Sequence, residues 1–305
     1  MAAAAEGFQS VRAPRAQVAK YLQSEEAKGY KLIAAPFLYA LALLGIPIVV
    51  VIAHSFWSQN YLTVDRTFTL ENYRQAIFEP IYQDLLLRSL WISLTVSVLT
   101  VVLAYPIAYF ISFHGGRRKS LWLFVITIPF WSSYLLRVMS WKVILGYNGV
   151  LNSALMGLGI TDEPSTALLY NSTAVLITLT HAWVAFAILP IYVSLEKVDR
   201  TLIEAATDLG DGPIRRFLRV TLPLSLPGVI AALLIVMIPT VGDYVTPRMV
   251  GGTDGVMIAN AIQAQFGRAL NKPLGAALSV TTMIAVCIMA GGTVLALRAA
   301  VRAFR

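Results

Sequence analysis

The sequence predicts an all-α membrane protein of six transmembrane helices with both termini cytoplasmic, and three observations predict it. Hydrophobic residues make up 57% of the 305 and charged residues 13%, with a mean hydropathy of +0.70, whereas roughly a quarter of a soluble domain is charged. Six apolar runs are each long enough to cross a hydrocarbon layer. Lys and Arg gather in alternate connections: five in the tail up to Lys31, three in the turn at Arg117, five between crossings four and five, and three at the C-terminus. Together these are sixteen of the 24, the asymmetry that marks the cytoplasmic side. The basic pI of 9.6 is therefore topological rather than a sign of nucleic-acid binding.

Residues 1–30 are polar and small, with Arg12, Arg15, Lys20 and Lys28 but no apolar run, and read as a cytoplasmic tail rather than a cleavable signal. The rest, 31–305, forms the membrane domain. Crossing one runs from about Lys31 to Phe56, with a kink expected at Pro47. A polar stretch to Leu86 reads as an external loop. Crossings two (Leu87 to Phe113) and three (Leu121 to Leu145) flank the basic turn His114 to Lys119. A second external stretch, Gly146 to Tyr170, leads into crossing four, Asn171 to Leu195. The cytoplasmic loop 196–223 follows, then crossing five (Leu224 to Val245), a third external stretch and crossing six (Gly275 to Leu297).

Several chemistries lack their residues. There is no glycine-rich phosphate-binding loop of the GxxxxGKS or GxxxxGKT type, so this chain is not expected to bind ATP in that mode, and no HExxH, CxxC or GxSxG occurs. Cys287 is the single cysteine, and His54, His114 and His181 are scattered, so no metal or catalytic cluster is expected. Asn171-Ser-Thr matches a glycosylation sequon and reads as chance.

The charged, turn-rich segment Glu204 to Gly228 interrupts this apolar background. Leu202, Ala205, Ala206 and Leu209 fall at helical spacing, while Gly210 and Gly212 can take left-handed backbone and Gly-Pro can start a second short helix. Arg215, Arg216 and Arg219 follow. On chemistry alone the pair either rests its arginines on anionic lipid or docks on another protein. Fixed Gly and Pro positions go beyond what a lipid-resting helix needs.

Glu204-Ala205-Ala206, Gly210, Val220 and Leu222-Pro223 resemble the EAA loop of membrane subunits of bacterial ABC importers, with Val220 where isoleucine is usual. The resemblance implies the type I ABC importer permease architecture and a coupling helix that docks on a cytoplasmic ATPase. Glu204, Ala205, Ala206, Asp208, Gly210, Arg215 and Arg216 are then the expected coupling residues. Phe130 to Arg137, Trp141, Asn148 to Asn152, Ile238 to Val245 and Met257 to Asn260 are similar to the spermidine/putrescine importer permeases, and the polar tail to the first of that family's two permeases. Thr246-Pro247-Arg248 departs from the isoleucine-proline-glutamate expected there.

This resemblance implies a bacterial inner-membrane transport subunit, not an enzyme, that forms part of the path of a small organic solute. A polyamine leads, with 4-aminobutyrate, opine-type and other amino-acid-like compounds behind. The implied partners are two ATPase subunits that bind ATP and Mg, a second permease, an extracellular or periplasmic solute-binding protein and lipid. A secondary transporter predicts inverted repeats, which are not evident; a membrane enzyme needs catalytic groups at one depth, and none converge.

For the solute path the candidates are Trp131, Tyr134, Arg137, Trp183, Asp243 and Tyr244. An ionisable group inside a crossing must face water or a partner, and aromatic faces can hold an ammonium. Two alternatives stand beside this one. Asp243 can pair with Arg137 or Lys142, and Trp131 and Tyr134 can belong to an interfacial aromatic belt.

Overall fold

A computed structural model describes residues 25–61 and 63–303. Most of the expected N-terminal tail, residues 1–24, lies outside the described residues. The chain divides into two compact units, Met1–His54 and Ser55–Arg305. Among the described residues the first consists of α1, Glu25–Ser55, apart from its last residue, and α1 runs as one helix through Pro36 and Pro47.

The second unit is built on α3 (Pro80–His114), α7 (Ser172–Glu196) and α10 (Leu222–Val241). Each is apolar on all sides, as a helix must be when one face packs on protein and the other meets lipid. Ile92 and Val96 of α3, Leu179, Ile188 and Ile191 of α7, and Val229 and Val236 of α10 form the shared core. In lipid there is little hydrophobic drive between helices, so close approach and internal hydrogen bonds hold them together. Gly228 supplies the approach: a Cβ there would lie 2.4 Å from Ser194 Cβ and 2.5 Å from the Pro190 carbonyl. The bonds come from short polar side chains. Ser93 Oγ donates to Met237 O at 2.7 Å, and the Tyr105 hydroxyl and Ser225 Oγ lie 2.8 Å apart. Asn171, the sequon asparagine, caps α7 by accepting from Ala174 N at 2.9 Å.

The polar stretches expected as loops are largely folded. Ser58–Asn60 (β1) and Thr63–Asp65 (β2) pair as an antiparallel hairpin, Ser58 opposite Asp65. The short α2, Glu71–Phe78, is tied back by Asn72, whose Nδ2 donates to Ser55 O and Trp57 O at 3.0 and 2.7 Å. Further on, α6 (Val150–Gly157), α11 (Val245–Val250) and α12 (Ile258–Gly267) fill the other two stretches. The last helix, α13 (Lys272–Ala303), packs on α2 and α12 through Leu274, Leu278 and Ile258.

Crossing three is not the continuous helix expected from Leu121 to Leu145. It consists of α4 (Lys119–Thr127), a 3-10 turn Ile128–Trp131, and α5 (Tyr134–Ile144), with its two arms bent by 83°. Pro129 has no amide hydrogen to continue the ladder, and Ser132 and Ser133 are extended, with ψ of 151° and 137°. Such broken backbone is tolerated at membrane depth where side chains satisfy the freed groups. Ser132 Oγ does so, donating to Pro129 O at 2.6 Å. Among the described residues five helices are long and apolar enough to span by themselves, and the bent pair, counted as one span, makes a sixth.

Candidate functional site

Two features converge on chemistry, a cleft within the bundle and the segment between α7 and α10. The break before Tyr134 aims the first turn of α5 across α7 toward the end of α10, so that Tyr134 and Arg137, one turn apart, share a face. Ala182, Trp183 and Phe186 of α7 supply another wall, and Pro239 and Asp243 close a cavity of about 350 Å³.

Asp243 lies just past the end of α10. Its Oδ1 accepts from the backbone N–H groups of Val245 and Thr246 at 2.8 and 3.3 Å, which fixes the first turn of α11. Its Oδ2 accepts from the Tyr134 hydroxyl at 2.5 Å, and that hydroxyl lies 2.6 Å from Oγ1 of the buried Thr246. The carboxylate is therefore held by three neutral donors. Neither Arg137 nor Lys142 forms an ion pair with it among the described residues, which removes the pairing alternative. Instead the Arg137 guanidinium sits over the Phe130 ring at 4.6 Å and near that of Tyr134 at 5.9 Å. Its Nε and Nη1, and Nε1 of Trp183, are buried and have no hydrogen-bond partner among the described residues.

Of the six candidates for the solute path, Tyr134, Arg137, Trp183 and Asp243 line one cavity. Trp131 does not: it is 76% exposed and packs edge-on against Phe124. The Tyr244 ring is exposed too, while its carbonyl accepts from Asn260 Nδ2 at 2.8 Å. Thr246 and Phe186 join the site without having been singled out. Thr246 carries a polar side chain three residues from a cue, Asp243, that pointed to it; an apolar helix residue such as Phe186 gave none.

The second feature begins at α8, Arg200–Asp208. Asp199 caps it by accepting from Thr201 N at 3.0 Å, and that bond with the Thr201 hydroxyl holds the Asp199 carboxyl below the usual carboxylate range. The helix ends as its glycine dictates. Gly210 takes φ of +87°, with Gly210 N donating to Thr207 O and Asp211 N to Ala206 O, the paired bonds of a glycine-terminated helix. Gly212, which can take left-handed backbone, is instead extended, at φ −64°, and precedes Pro213 at the start of α9, Pro213–Arg216.

Asp211 gathers Arg215 at 3.4 Å and Arg219 at 3.7 Å, and Arg216 donates to Thr207 Oγ1 at 2.6 Å, so the basic residues mainly brace the angle between α8 and α9. Ala206 is buried, whereas Glu204, Ala205 and Asp208 are exposed. Leu209 and Ile214 are 87% and 76% exposed at the tip. A π-helical turn, Phe217–Thr221, leads into α10, where Pro223 and Pro227 lack amide hydrogens. Sequence reasoning missed one brace beside α8: Lys119 Nζ contacts Glu196 Oε1 at 2.6 Å, joining the start of α4 to the end of α7. Both ends had been placed on the same side of the membrane, which was the available signal.

Residues 83–302 match the family described as "Binding-protein-dependent transport system inner membrane component". The spermidine/putrescine transport system permease protein PotB of Escherichia coli (strain K12) is 36% identical over 245 residues, covering 80% of this chain and 88% of that protein. Its counterpart in Haemophilus influenzae is 34% identical over 260 residues, covering 84% and 90%. A solved bacterial ABC transporter involved in the import of the acidic polysaccharide alginate has a similar fold, with a TM-score of 0.65 at 14% identity over 94% of this chain and 98% of that one.

Proposed function

The chain belongs to the family of binding-protein-dependent transport system inner membrane components, and from that premise we propose that its cargo is a polyamine, putrescine or spermidine. As a member it is the permease subunit of an ABC importer, a multi-pass protein of the inner membrane that works with a binding protein and the other components of that system. The polyamine reading is supported by the names of its relatives, which are spermidine/putrescine permeases. The observation that carries it is Asp243, a carboxylate bordering a cavity inside the bundle beside the aromatic faces of Tyr134, Trp183 and Phe186. A negative charge at membrane depth is retained where it meets a cation, and each ring face adds about 0.5 to 2 kcal/mol for an ammonium.

The mechanism follows from the second feature. Two ATPase subunits, which bind the ATP and Mg, receive α8 in a groove on the cytoplasmic side. Exposed Glu204, Ala205 and Asp208 meet that surface, Gly210 sets the exit angle, and Arg215 and Arg216 keep α8 and α9 rigid so that motion passes into α10. A second permease completes the pathway, and an external binding protein delivers the solute. Only a difference in ATP affinity between the two arrangements can drive the exchange, so this chain takes no catalytic part.

The test uses the complete importer in proteoliposomes. Asp243→Asn is expected to reduce putrescine uptake at least tenfold, and uptake at the wild-type rate would remove Asp243 from the path. Glu204→Arg is expected to leave the complex folded while abolishing cargo-stimulated ATP hydrolysis; unchanged stimulation and uptake would refute the coupling role.

A further inference from the structure

The segment between α7 and α10 grips α3 at both of its ends. Tyr105, Tyr109, Ser112 and Phe113 fall at i, i+4, i+7 and i+8, so they share one face of α3. At the entry to the segment, Glu196 Oε2 accepts from Ser112 Oγ at 3.4 Å. Arg200, the first residue of α8, donates from Nη2 to Ser112 O at 3.4 Å, and its guanidinium lies 5.7 Å from the centre of the Phe113 ring. At the exit, Phe217 meets Tyr105 edge-on at 5.5 Å and Tyr109 at 6.5 Å. Two routes therefore lead from α8 and α9 into the bundle. The route along the chain into α10 passes the π-helical turn Phe217–Thr221 and then Pro223 and Pro227, and such turns and prolines are where helices bend. The route into α3 meets a helix that runs unbroken from Pro80 to His114. Its internal Pro106 lies within the gripped stretch, so no proline interrupts the ladder from there to Ser93, about 20 Å of helix farther on. There Ser93 Oγ donates to Met237 O, two residues before the cleft residue Pro239, and Ser89 Oγ accepts from Ile258 N at 2.7 Å.

We infer that Phe217 and Arg200 are positioning residues that tie the α8 and α9 segment to α3, so that the segment and the His114 end of α3 move as one body and α3 carries the motion to the wall of the cleft. The inference rests on the reading of α8 as the joint with the ATPase, and deepens it by naming α3 as a transmitting helix. Phe217 acts through geometry: an edge-on pair of rings has a preferred arrangement that an aliphatic side chain of similar bulk lacks. Arg200 acts through a planar cation that lies over the Phe113 ring and also reaches the Ser112 carbonyl. The bonds of Glu196 to Ser112 and Lys119 fasten the end of α7 to the same turn of α3.

The test uses the complete importer, with Cys287→Ser and no other reactive thiol, carrying spin labels at Ala205→Cys and His114→Cys, both exposed positions. The distance between the labels is measured in the nucleotide-free and ATP-bound states in nanodiscs, and putrescine uptake per ATP in proteoliposomes. With Phe217 and Arg200 in place, one distance is expected in both states. With Phe217→Leu and Arg200→Gln together, the distance should come to depend on nucleotide and uptake per ATP should fall about fivefold, the scale of an aromatic pair. Phe217→Tyr, which keeps the ring, should restore the single distance and the uptake ratio where Phe217→Leu loses them. A nucleotide-dependent distance with both residues in place overturns the inference. So does a fall in uptake per ATP with the distance unmoved, which marks a merely structural contact, and so does a wild-type uptake ratio in the double variant. If the double variant does not assemble, Phe217→Leu and Phe217→Tyr are compared by the same two readings, and if putrescine is not carried the distances decide alone. Failure of the coupling reading shows separately, as a residue 205 that never cross-links to the ATPase, whatever its distance from residue 114.

Discussion

Replacing Tyr134 by Phe removes one oxygen atom from the point where the broken third crossing meets the end of α10. In wild type that oxygen bonds Asp243 Oδ2 at 2.5 Å and lies 2.6 Å from Thr246 Oγ1. Without it Oδ2 loses its protein donor, while Oδ1 keeps the amides of Val245 and Thr246. Thr246, whose side chain is buried, loses its partner as well. A hydrogen bond to a charged group contributes about 1.5 to 3 kcal/mol, and part of the loss is recovered where Oδ2 can reach water in the cleft. A net destabilisation of this arrangement by about 2 kcal/mol shifts its balance against any alternative roughly thirtyfold.

In the complete importer that shift should appear as ATP hydrolysis without cargo, raised toward the cargo-stimulated rate, with cargo uptake per ATP reduced. The assay is basal and stimulated hydrolysis in nanodiscs, with a thermal unfolding curve as the control for folding. If basal hydrolysis, coupling ratio and unfolding temperature all match wild type, the Tyr134 to Asp243 contact does not stabilise one arrangement over another and the reasoning fails.

Gly228→Val should force α7 and α10 apart, because its Cβ would stand about 1 Å inside ordinary contact with Ser194 and the Pro190 carbonyl. A loss of about 1 to 3 kcal/mol is expected, read as a lowered unfolding temperature, and an unchanged one would contradict the packing described for these helices. The Asp199 carboxyl is held below its usual range by Thr201. A depressed carboxylate stabilises above its ordinary pKa and loses that contribution as pH falls through its lower, folded value. The protection factors of the Thr201 to Ile203 amides, measured against their intrinsic rates at each pH, should therefore fall as pH drops below the ordinary carboxylate range, and unchanged protection factors would contradict the cap. Lys119 and Glu196 are partly exposed, at 21% and 42%, so a double-mutant cycle with Lys119→Met and Glu196→Gln should give a coupling below ~1 kcal/mol. A larger value would mean that the brace is shielded in the assembled importer.

What the sequence made legible follows from how locally each feature is encoded. Apolar length places α3, α7, α10 and α13 to within several residues, because a crossing is defined by composition. The helix over Arg200–Asp208 and its stop at Gly210 were equally legible, since a left-handed residue at a helix end is a property of a few neighbouring positions. The break at Ser132 and Ser133 was not read from the sequence, which gave crossing three as continuous. Pro129 announces that the ladder is interrupted, but two serines in extended backbone look no different from two serines inside a helix.

The contact of Tyr134 with Asp243 spans 109 positions, and nothing local specifies it. The four cleft residues were picked for their chemistry one at a time, and only the fold brings them together. Trp131 shows the converse, since its chemistry suited the site while its place at the turn directs it elsewhere. At Gly212 the sequence left the choice open: glycine permits left-handed backbone without requiring it, and the following Pro213 favours an extended residue before it.

The central claim is that α8 is the joint through which a nucleotide-hydrolysing partner moves this chain. Its most direct measurement is site-specific cross-linking in the complete importer. Cys287 is the single cysteine, so Cys287→Ser clears the background and Ala205→Cys places one thiol on the exposed face of α8. The account predicts that a short thiol cross-linker joins residue 205 to the ATPase subunit, with a yield that changes between the ATP-bound and nucleotide-free states. Labelling of that thiol from the outer face of sealed vesicles, with no cross-link to the ATPase in either state, would contradict it.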